Sequence, residues 1–477
     1  MWRASPCQRR RGSKVTALWE ANATALLGLI DRGEASCVEV LDAHIERIEA
    51  ANPAVNAIVT TTFERARDTA RALDNDRTRG GALKGLPIAH KDLVPTKGIR
   101  TTYGSPLFAD HVPEQDALMV QRMRAAGAVT VGKTNTPEFG AGSQTFNRVF
   151  GATANPWNTT KTCGGSSGGA AVALAARMIP VADGSDTGGS LRNPAAFCNV
   201  IGFRPSPGRV PGSPGMPWTD LSTAGPMART IDDVALLFSV LAGPDAGIPH
   251  MQPEPGASFT PVAELPIRDL RIAVTEDFGL PVEAAVRERI RALADALTGA
   301  GAIVEEAKPD LTDARRIFHI LRATGFRRRF GAMTAAEQSE LKDTIRWNLA
   351  AGAELTVADY DWVDPARAAL IGRIGEFFSR FDLLIGPTTQ VLPFDLGTDW
   401  LREVEGVAME TYIQWMESCS LITVTGCPAL SLPAGFAGDL PVGAQLIAPL
   451  RADAFLLAAG KAVESITGFA HRQPELG

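Results

Sequence analysis

Gly164-Gly165-Ser166-Ser167-Gly168-Gly169 and, a little further on, Gly184-Ser185-Asp186-Thr187-Gly188-Gly189-Ser190-Leu191-Arg192 are two glycine-dense runs built around serines, with no histidine beside either. Glycine lets the main chain approach a ligand closely, so that successive N–H groups converge on one developing negative charge. A serine set in such backbone reads as a nucleophile, and the absence of an adjacent imidazole asks what takes its proton.

Outward from these runs, short apolar segments of strand type alternate with helical patterns. Strands are expected at 55–59, 87–94, 129–132, 179–182, 270–275, 303–306, 383–385, 429–432 and 443–447, with a helix at 63–74. Upstream, 16–32 reads as a helix stopped at Gly33, and Ser36-Cys37-Val38-Glu39 has the spacing of a capping box opening a second helix to about Ala51, ahead of Pro53. The alternation predicts an α/β fold. The Pro-, Gly- and Asp-rich stretch 243–266 is a surface excursion, and the strands beyond it lack an obvious core of their own, which favours a single large domain. The expected layout is a disordered basic tail over 1–15, a domain over 16–470 and a C-terminal tail over 471–477. Within the domain, 16–75 form an N-terminal helical layer, 80–235 the catalytic region and 267–470 the rear half of the same sheet.

Composition narrows the function classes. Lys and Arg total 47 against 53 Asp and Glu, a formal charge of -6 over 477 residues, so the surface as a whole does not suit nucleic acid. The run Arg327-Arg328-Arg329 reads as a solvated helix face. Six scattered cysteines without a C-x-x-C pair argue against a zinc site and a disulfide framework, and they fit a reducing compartment. Cys163, beside the first glycine run, reads as a small buried filler rather than a nucleophile. Residues 1–14 are basic but lack the apolar core of a signal peptide, and no apolar run approaches the ~18 residues of a membrane span. The expectation is a cytoplasmic protein with no membrane, nucleic-acid, metal or cofactor partner; a homodimer stays open.

Two short motifs compete with a serine–lysine reading. Gly127-Ala128-Val129-Thr130-Val131-Gly132-Lys133-Thr134 has P-loop spacing, yet a helical pattern precedes it, Pro137 follows it, and its middle is a strand, so a nucleotide site is not expected. Gly164-Gly165-Ser166-Ser167-Gly168 fits the G-x-S-x-G elbow of α/β-hydrolases, which would make Ser166 an esterase nucleophile. That arrangement needs a later histidine; His250, His319 and His471 occupy no evident strand-to-loop position. His90 and Lys91 are strand neighbours and point to opposite faces, so His90 reads as structural. Lys91 lies in Pro87-Ile88-Ala89-His90-Lys91-Asp92-Leu93, where burial would lower its pKa and let it accept a proton near pH 7. From the segment alone, Lys91 and Asp92 equally suit a strand end.

Taken together, Gly-Leu-Pro-Ile-Ala-His-Lys-Asp around Lys91, Gly-Gly-Ser-Ser-Gly-Gly around Ser166 and Gly-Ser-Asp-Thr-Gly-Gly-Ser-Leu-Arg-Asn-Pro-Ala-Ala-Phe-Cys around Ser190 closely resemble the amidase signature family. The resemblance extends through Gly132-Lys133-Thr134-Asn135-Thr136-Pro137-Glu138-Phe139, Asn155-Pro156-Trp157, Gly202-Phe203-Arg204-Pro205-Ser206, Thr425-Gly426-Cys427-Pro428-Ala429 and Leu440-Pro441-Val442-Gly443-Ala444-Gln445. It implies a central mixed β-sheet surrounded by α-helices and hydrolysis of a small-molecule carboxylic acid amide, without cofactor, to carboxylate plus ammonia or amine. It further implies Ser190 as nucleophile, Ser166 after a cis peptide bond as bridging serine, and Lys91 as base. The N–H groups of Thr187, Gly188, Gly189 and Ser190 would form the oxyanion hole, one such donor being worth about 3 kcal/mol. Ser167, Asp186 and Arg192 are implied as supports, while Phe139 and Trp157 read as packing more than as acyl-pocket walls. The same resemblance admits the glutaminase component of a tRNA-dependent amidotransferase. The chain departs from the pattern of that component at Thr162-Cys163, at Asn193 and at Trp218-Thr219-Asp220-Leu221-Ser222-Thr223-Ala224-Gly225-Pro226, which favours a free-standing amidase. A non-catalytic scaffold would be expected to lack a triad residue, and all three are present.

Overall fold

A computed structural model describes residues 17–76, 80–211, 221–248 and 251–476. The expected basic tail, His250 and the first three residues of the departure at 218–226 lie outside them.

Two sheets carry the chain. The smaller comprises β1 (Ile58–Thr61), β2 (Pro87–Lys91) and β3 (Val129–Thr134) in the order β1-β3-β2, with β2 parallel and β1 antiparallel to β3. The larger is built from β4 (Val181–Asp186), β5 (Ile201–Arg204), β6 (Thr223–Ala228), β7 (Arg271–Val274), β8 (Ile303–Glu306), β9 (Leu383–Pro387), β10 (Ala429–Ala437) and β11 (Leu440–Ile447). Its order is β8-β7-β9-β11-β10-β5-β6-β4, with parallel pairs among β7, β8 and β9 and antiparallel pairs elsewhere. Strands from before and after 243–266 thus share one mixed sheet, and the main apolar core, from Leu26 through Phe203 and Phe238 to Leu446 and Val463, runs across both halves. The protein is a single-domain α/β fold.

The N-terminal helices form as the capping signals require, with two adjustments. The expected helix over 16–32 is broken: α1 spans Ala23–Asp31, because the Asn22 side chain caps it by accepting from Ala25 N at 2.9 Å. Ser36 and Glu39 close the capping box of α2 (Cys37–Val55), which continues past Pro53. Proline there removes a donor only in the last turn, and Asn52 takes over the exit by accepting from Ala57 N and Ile58 N at 2.9 and 2.8 Å. Val55 is therefore helical, and the strand expected at 55–59 begins at Ile58. The helix at 63–74 is present as α3 (Phe63–Asn75).

β5 and β6 were not among the expected strands. Both carry glycine where another backbone comes close: a Cβ on Gly202 would lie 2.2 Å from Leu191 O, and one on Gly225 2.3 Å from Phe203 O. Close approach demands glycine, and glycine erases the strand signal. At the C-terminal end, Leu476 O accepts from Arg47 Nη1 at 3.3 Å, so the expected tail docks against α2.

The P-loop spacing is explained by β3 itself. A Cβ on Gly132 would sit 2.0 Å from Thr60 O across the strand pair, and Lys133 Nζ is buried, donating to Val94 O and Thr96 Oγ1 at 2.5 and 2.8 Å.

Candidate active site

The two glycine runs meet where β2 and β4 end side by side. Asp183 on β4 accepts from Lys91 N at 2.8 Å and contacts His90 Nδ1 at 2.5 Å, fastening one strand to the other. His90 Nε2 reaches Thr130 Oγ1 at 3.1 Å, so both ring nitrogens are engaged away from the serines.

Lys91, pointing to the other side, is wholly buried. Its Nζ lies 2.8 Å from Ser166 Oγ, 2.8 Å from Ser167 Oγ and 3.2 Å from Ser185 Oγ. Three neutral hydroxyls satisfy an amine without compensating a charge. Burial lowers the Lys91 pKa to about 7, against the opposing pull of the Asp186 and Asp183 carboxylates. A sizeable neutral fraction is then present at physiological pH, as a proton acceptor requires.

Ser166 follows a cis Gly165–Ser166 peptide bond. Immediately after it, α4 (Gly168–Ala175) is buried on every side, which only its small and aliphatic residues permit. A Cβ on Gly169 would lie 2.4 Å from Asn135 N. The second run leaves β4 at Asp186, turns through Ser190 and enters α5 (Arg192–Cys198). Ser167 N donates to Ser190 O at 3.1 Å, joining the runs.

Asp186 and Arg192 form a fully buried ion pair in which Nη2 and Nε donate to Oδ1 and Oδ2 at 2.9 and 3.0 Å, so they are not solvated charges. Burial alone would raise the Asp186 pKa. Arg192, Arg204 and the Gly189 N–H overcome it and hold the carboxylate well below its usual range. Arg192 also donates to Cys419 O at 3.1 Å, Thr423 Oγ1 at 2.9 Å and Gln445 Oε1. It thereby ties the turn to the helix Glu417–Thr423 and to β11.

One expected oxyanion donor is otherwise engaged. Gly189 N donates to Asp186 Oδ1 at 2.8 Å, because that carboxylate closes the turn from inside. Thr187, Gly188 and Ser190 keep N–H groups with no protein partner among the described residues. The turn therefore presents three free donors beside a serine that is 9% exposed.

Several neighbours were not singled out from the sequence: Ser185 on Lys91, Asp183 under the strand junction, and Cys419, Thr423 and Gln445 around Arg192. Strand alternation is the signal that could have found the first two, since residues 183 and 185 share one face of β4. The others come from beyond residue 400, and no local pattern links them to the turn.

The alternative motifs resolve on the same geometry. Among the described residues, His44 bonds Val40 O at 2.8 Å, and no histidine is hydrogen-bonded to Ser166. Cys163 is fully buried, its thiol pushed up to about 12 by burial, as suits a filler. Phe139 packs among Tyr103, Phe108 and Phe330, and Trp157 donates to Cys198 O at 3.0 Å while packing on Phe436. Arg327, Arg328 and Arg329 are exposed. Among the described residues there is no group of side chains suited to a metal, and no helix is long and apolar enough to cross a membrane.

A family model described as Amidase matches residues 39–457. Among curated relatives, the glutamyl-tRNA(Gln) amidotransferase A-type subunit from Azotobacter vinelandii (strain DJ / ATCC BAA-1303) is 35% identical, covering 93% of this chain and 96% of that protein. A bacterial aryl acylamidase of the amidase signature family superposes with a TM-score of 0.87 at 28% identity, over 95% of this chain and 99% of the other. A 6-aminohexanoate cyclic dimer hydrolase gives a TM-score of 0.87 at 29% identity, over 97% and 99%.

Proposed function

The chain belongs to the amidase signature family, and from that premise we propose that it is a free-standing amidase working through Ser190, Ser166 and Lys91. Neutral Lys91 takes a proton from Ser166 Oγ as Ser166 takes one from Ser190 Oγ, whose oxygen attacks the amide carbon. The N–H groups of Thr187, Gly188 and Ser190 receive the oxyanion. Ser166 returns its proton to the leaving nitrogen, amine or ammonia departs, and water cleaves the acyl-enzyme along the same route. The observation that carries this reading is the buried Lys91 amine at 2.8 Å from Ser166 Oγ, with no carboxylate among its hydrogen-bond partners in the described residues.

The test is hydrolysis of simple amides by the purified chain. Ser190→Ala should abolish both turnover and labelling by a fluorophosphonate; full activity of that variant would remove the mechanism. The five described cysteines are free and buried, which supports a reducing, cytoplasmic location.

The names of curated relatives such as the Azotobacter protein favour a second reading, the glutaminase component of a tRNA-dependent amidotransferase. Ammonia release from simple amides by the isolated chain supports the first reading. Release only from glutamine, and only with partner chains, supports the second.

A further inference from the structure

Gly189 is the point at which the turn around Ser190 is gripped from both ends. Its N–H is taken by Asp186 Oδ1 at 2.8 Å, and its carbonyl oxygen accepts from Asn193 N at 2.6 Å. Its φ is 122°, a left-handed value that favours glycine. A Cβ built on it would lie 2.7 Å from Cys419 Cβ and 3.0 Å from Asn193 Nδ2. The space that a side chain would need here is filled by the Asn193 carboxamide and by Cys419.

Asn193 stands in the first turn of α5 and is wholly buried. A buried carboxamide has to find hydrogen-bond partners, and this one draws them from two distant segments. Its Nδ2 donates to Ser143 Oγ at 3.2 Å and to Met416 Sδ at 3.8 Å, and its Oδ1 accepts from Cys419 Sγ at 3.5 Å. Ser143 Oγ in turn donates to Met416 Sδ. Burial pushes the Cys419 thiol up to about 12, so it keeps its S–H at neutral pH. Sulfur is a weak donor and a weak acceptor, which makes Ser143 the strongest of these partners.

Ser143 belongs to the other half of the site. A Cβ on Gly165 would lie 3.1 Å from Ser143 C and 3.1 Å from Gln144 N, so this segment packs directly behind the residue that precedes Ser166. The bond from Asn193 to Ser143 therefore runs from the turn of Ser190 to the backing of Ser166. Through Gly189 it bears on the residues at either side, Gly188 and Ser190, whose N–H groups have no protein partner among the described residues.

We propose that Asn193 is a positioning residue for the oxyanion donors: its carboxamide braces Gly189 against Ser143 and holds the Gly188 and Ser190 N–H groups in register with Ser166. The inference rests on the amidase reading and names a residue that sets the rate at that same site. The donors it aligns meet a full negative charge only as the carbonyl is attacked, so its loss slows the reaction and spares ground-state binding.

The test compares wild type with Asn193→Ala, Ser143→Ala and the double variant. One readout is the rate of fluorophosphonate labelling, in which Ser190 Oγ bonds to phosphorus, its proton passes along Ser166 to Lys91, fluoride leaves, and the phosphoryl oxygen takes the place of the oxyanion. The other is kcat and KM on whichever of acetamide, hexanamide and benzamide the wild type hydrolyses fastest. Asn193→Ala should lower the labelling rate and kcat together by about tenfold to a hundredfold, the scale of a small misplacement of catalytic groups, with KM unchanged. Ser143→Ala should act in the same direction, and the double variant should lose no more than Asn193→Ala alone, because both remove one link. Should Asn193→Ala not fold, Ser143→Ala reads the same link by itself. A lower melting temperature with unchanged labelling and kcat overturns the inference and leaves Asn193 a packing residue. A raised KM at unchanged kcat, or losses that multiply in the double variant, overturns it as well. In each of these cases wild-type turnover keeps the amidase reading intact. A wild type that neither labels nor hydrolyses overturns that reading, and the inference with it.

Discussion

Ser167 donates its backbone N–H to the carbonyl oxygen of Ser190 at 3.1 Å, while its hydroxyl sits 2.8 Å from Lys91 Nζ. One residue thus fixes the spacing between the lysine side of the site and the turn that carries Ser190. Side-chain replacement at Ser167 keeps the N–H link and removes only the hydroxyl at Lys91.

Because proton abstraction needs neutral Lys91, kcat/KM should rise with pH through an acid limb near 7, read from a pH–rate profile. Lys91→Met should lower kcat/KM by about a thousandfold or more, in line with loss of a general base. Stability follows the same group with a definite sign. Folded Lys91 titrates near 7 and unfolded lysine near 10.5, so between these values the unfolded chain binds more protons, and this group's contribution to stability rises with pH.

Ser185→Ala and Ser167→Ala each remove one hydroxyl from Lys91 and leave Ser166 in place. Each should reduce kcat/KM by about tenfold, the scale of one hydrogen bond, and much less than Ser166→Ala. Steady-state kinetics of the three variants on one amide provides the check; equal losses would contradict the separation of roles.

Asp186→Asn leaves the wholly buried Arg192 without its charge partner and weakens the clasp on Gly189 N and Leu191 N. The expected cost is about 3–5 kcal/mol of folding stability. Urea denaturation measures it.

Gly132→Ala would push a methyl to 2.0 Å from Thr60 O in the β1–β3 pair. Overpacking of this kind costs about 1–3 kcal/mol, with a lower melting temperature in calorimetry. The variant also separates the two meanings of the P-loop spacing, because a strand contact predicts loss of stability and no change in nucleotide affinity.

Acid should destabilise the protein before its paired carboxylates titrate. Buried His44 is lowered to about 4 by burial, so as pH falls from 6.5 towards 4 the unfolded chain takes up a proton that the native one refuses. Thermal melts across that interval should decline, and His44→Gln should flatten the decline.

Much of this molecule is legible in local patterns. The capping box at Ser36 and Glu39 and the alternation of strands and helices depend on short-range chemistry that a sequence displays directly, whereas Lys91, Ser166 and Ser190 were grouped there only by the family resemblance. β5 and β6 were not legible, because Gly202 and Gly225 serve the contact with Leu191 and Phe203 rather than the strand they occupy. Nor was the engagement of Gly189 N by Asp186, which depends on how a three-residue turn closes.

Sequence by itself determined which residue types stand at the site and what they could do there: serines in bare backbone, a lysine on an apolar strand, no histidine at hand. Tertiary structure alone decided that Lys91 is wholly buried against three hydroxyls, that Asp183 binds β2 to β4, and that the Asn193 carboxamide joins Ser143 to the turn of Ser190. Such properties depend on burial and on distances between segments far apart in the chain. A lysine's identity is local, but the water it has lost and the partners it has gained are set by the whole fold.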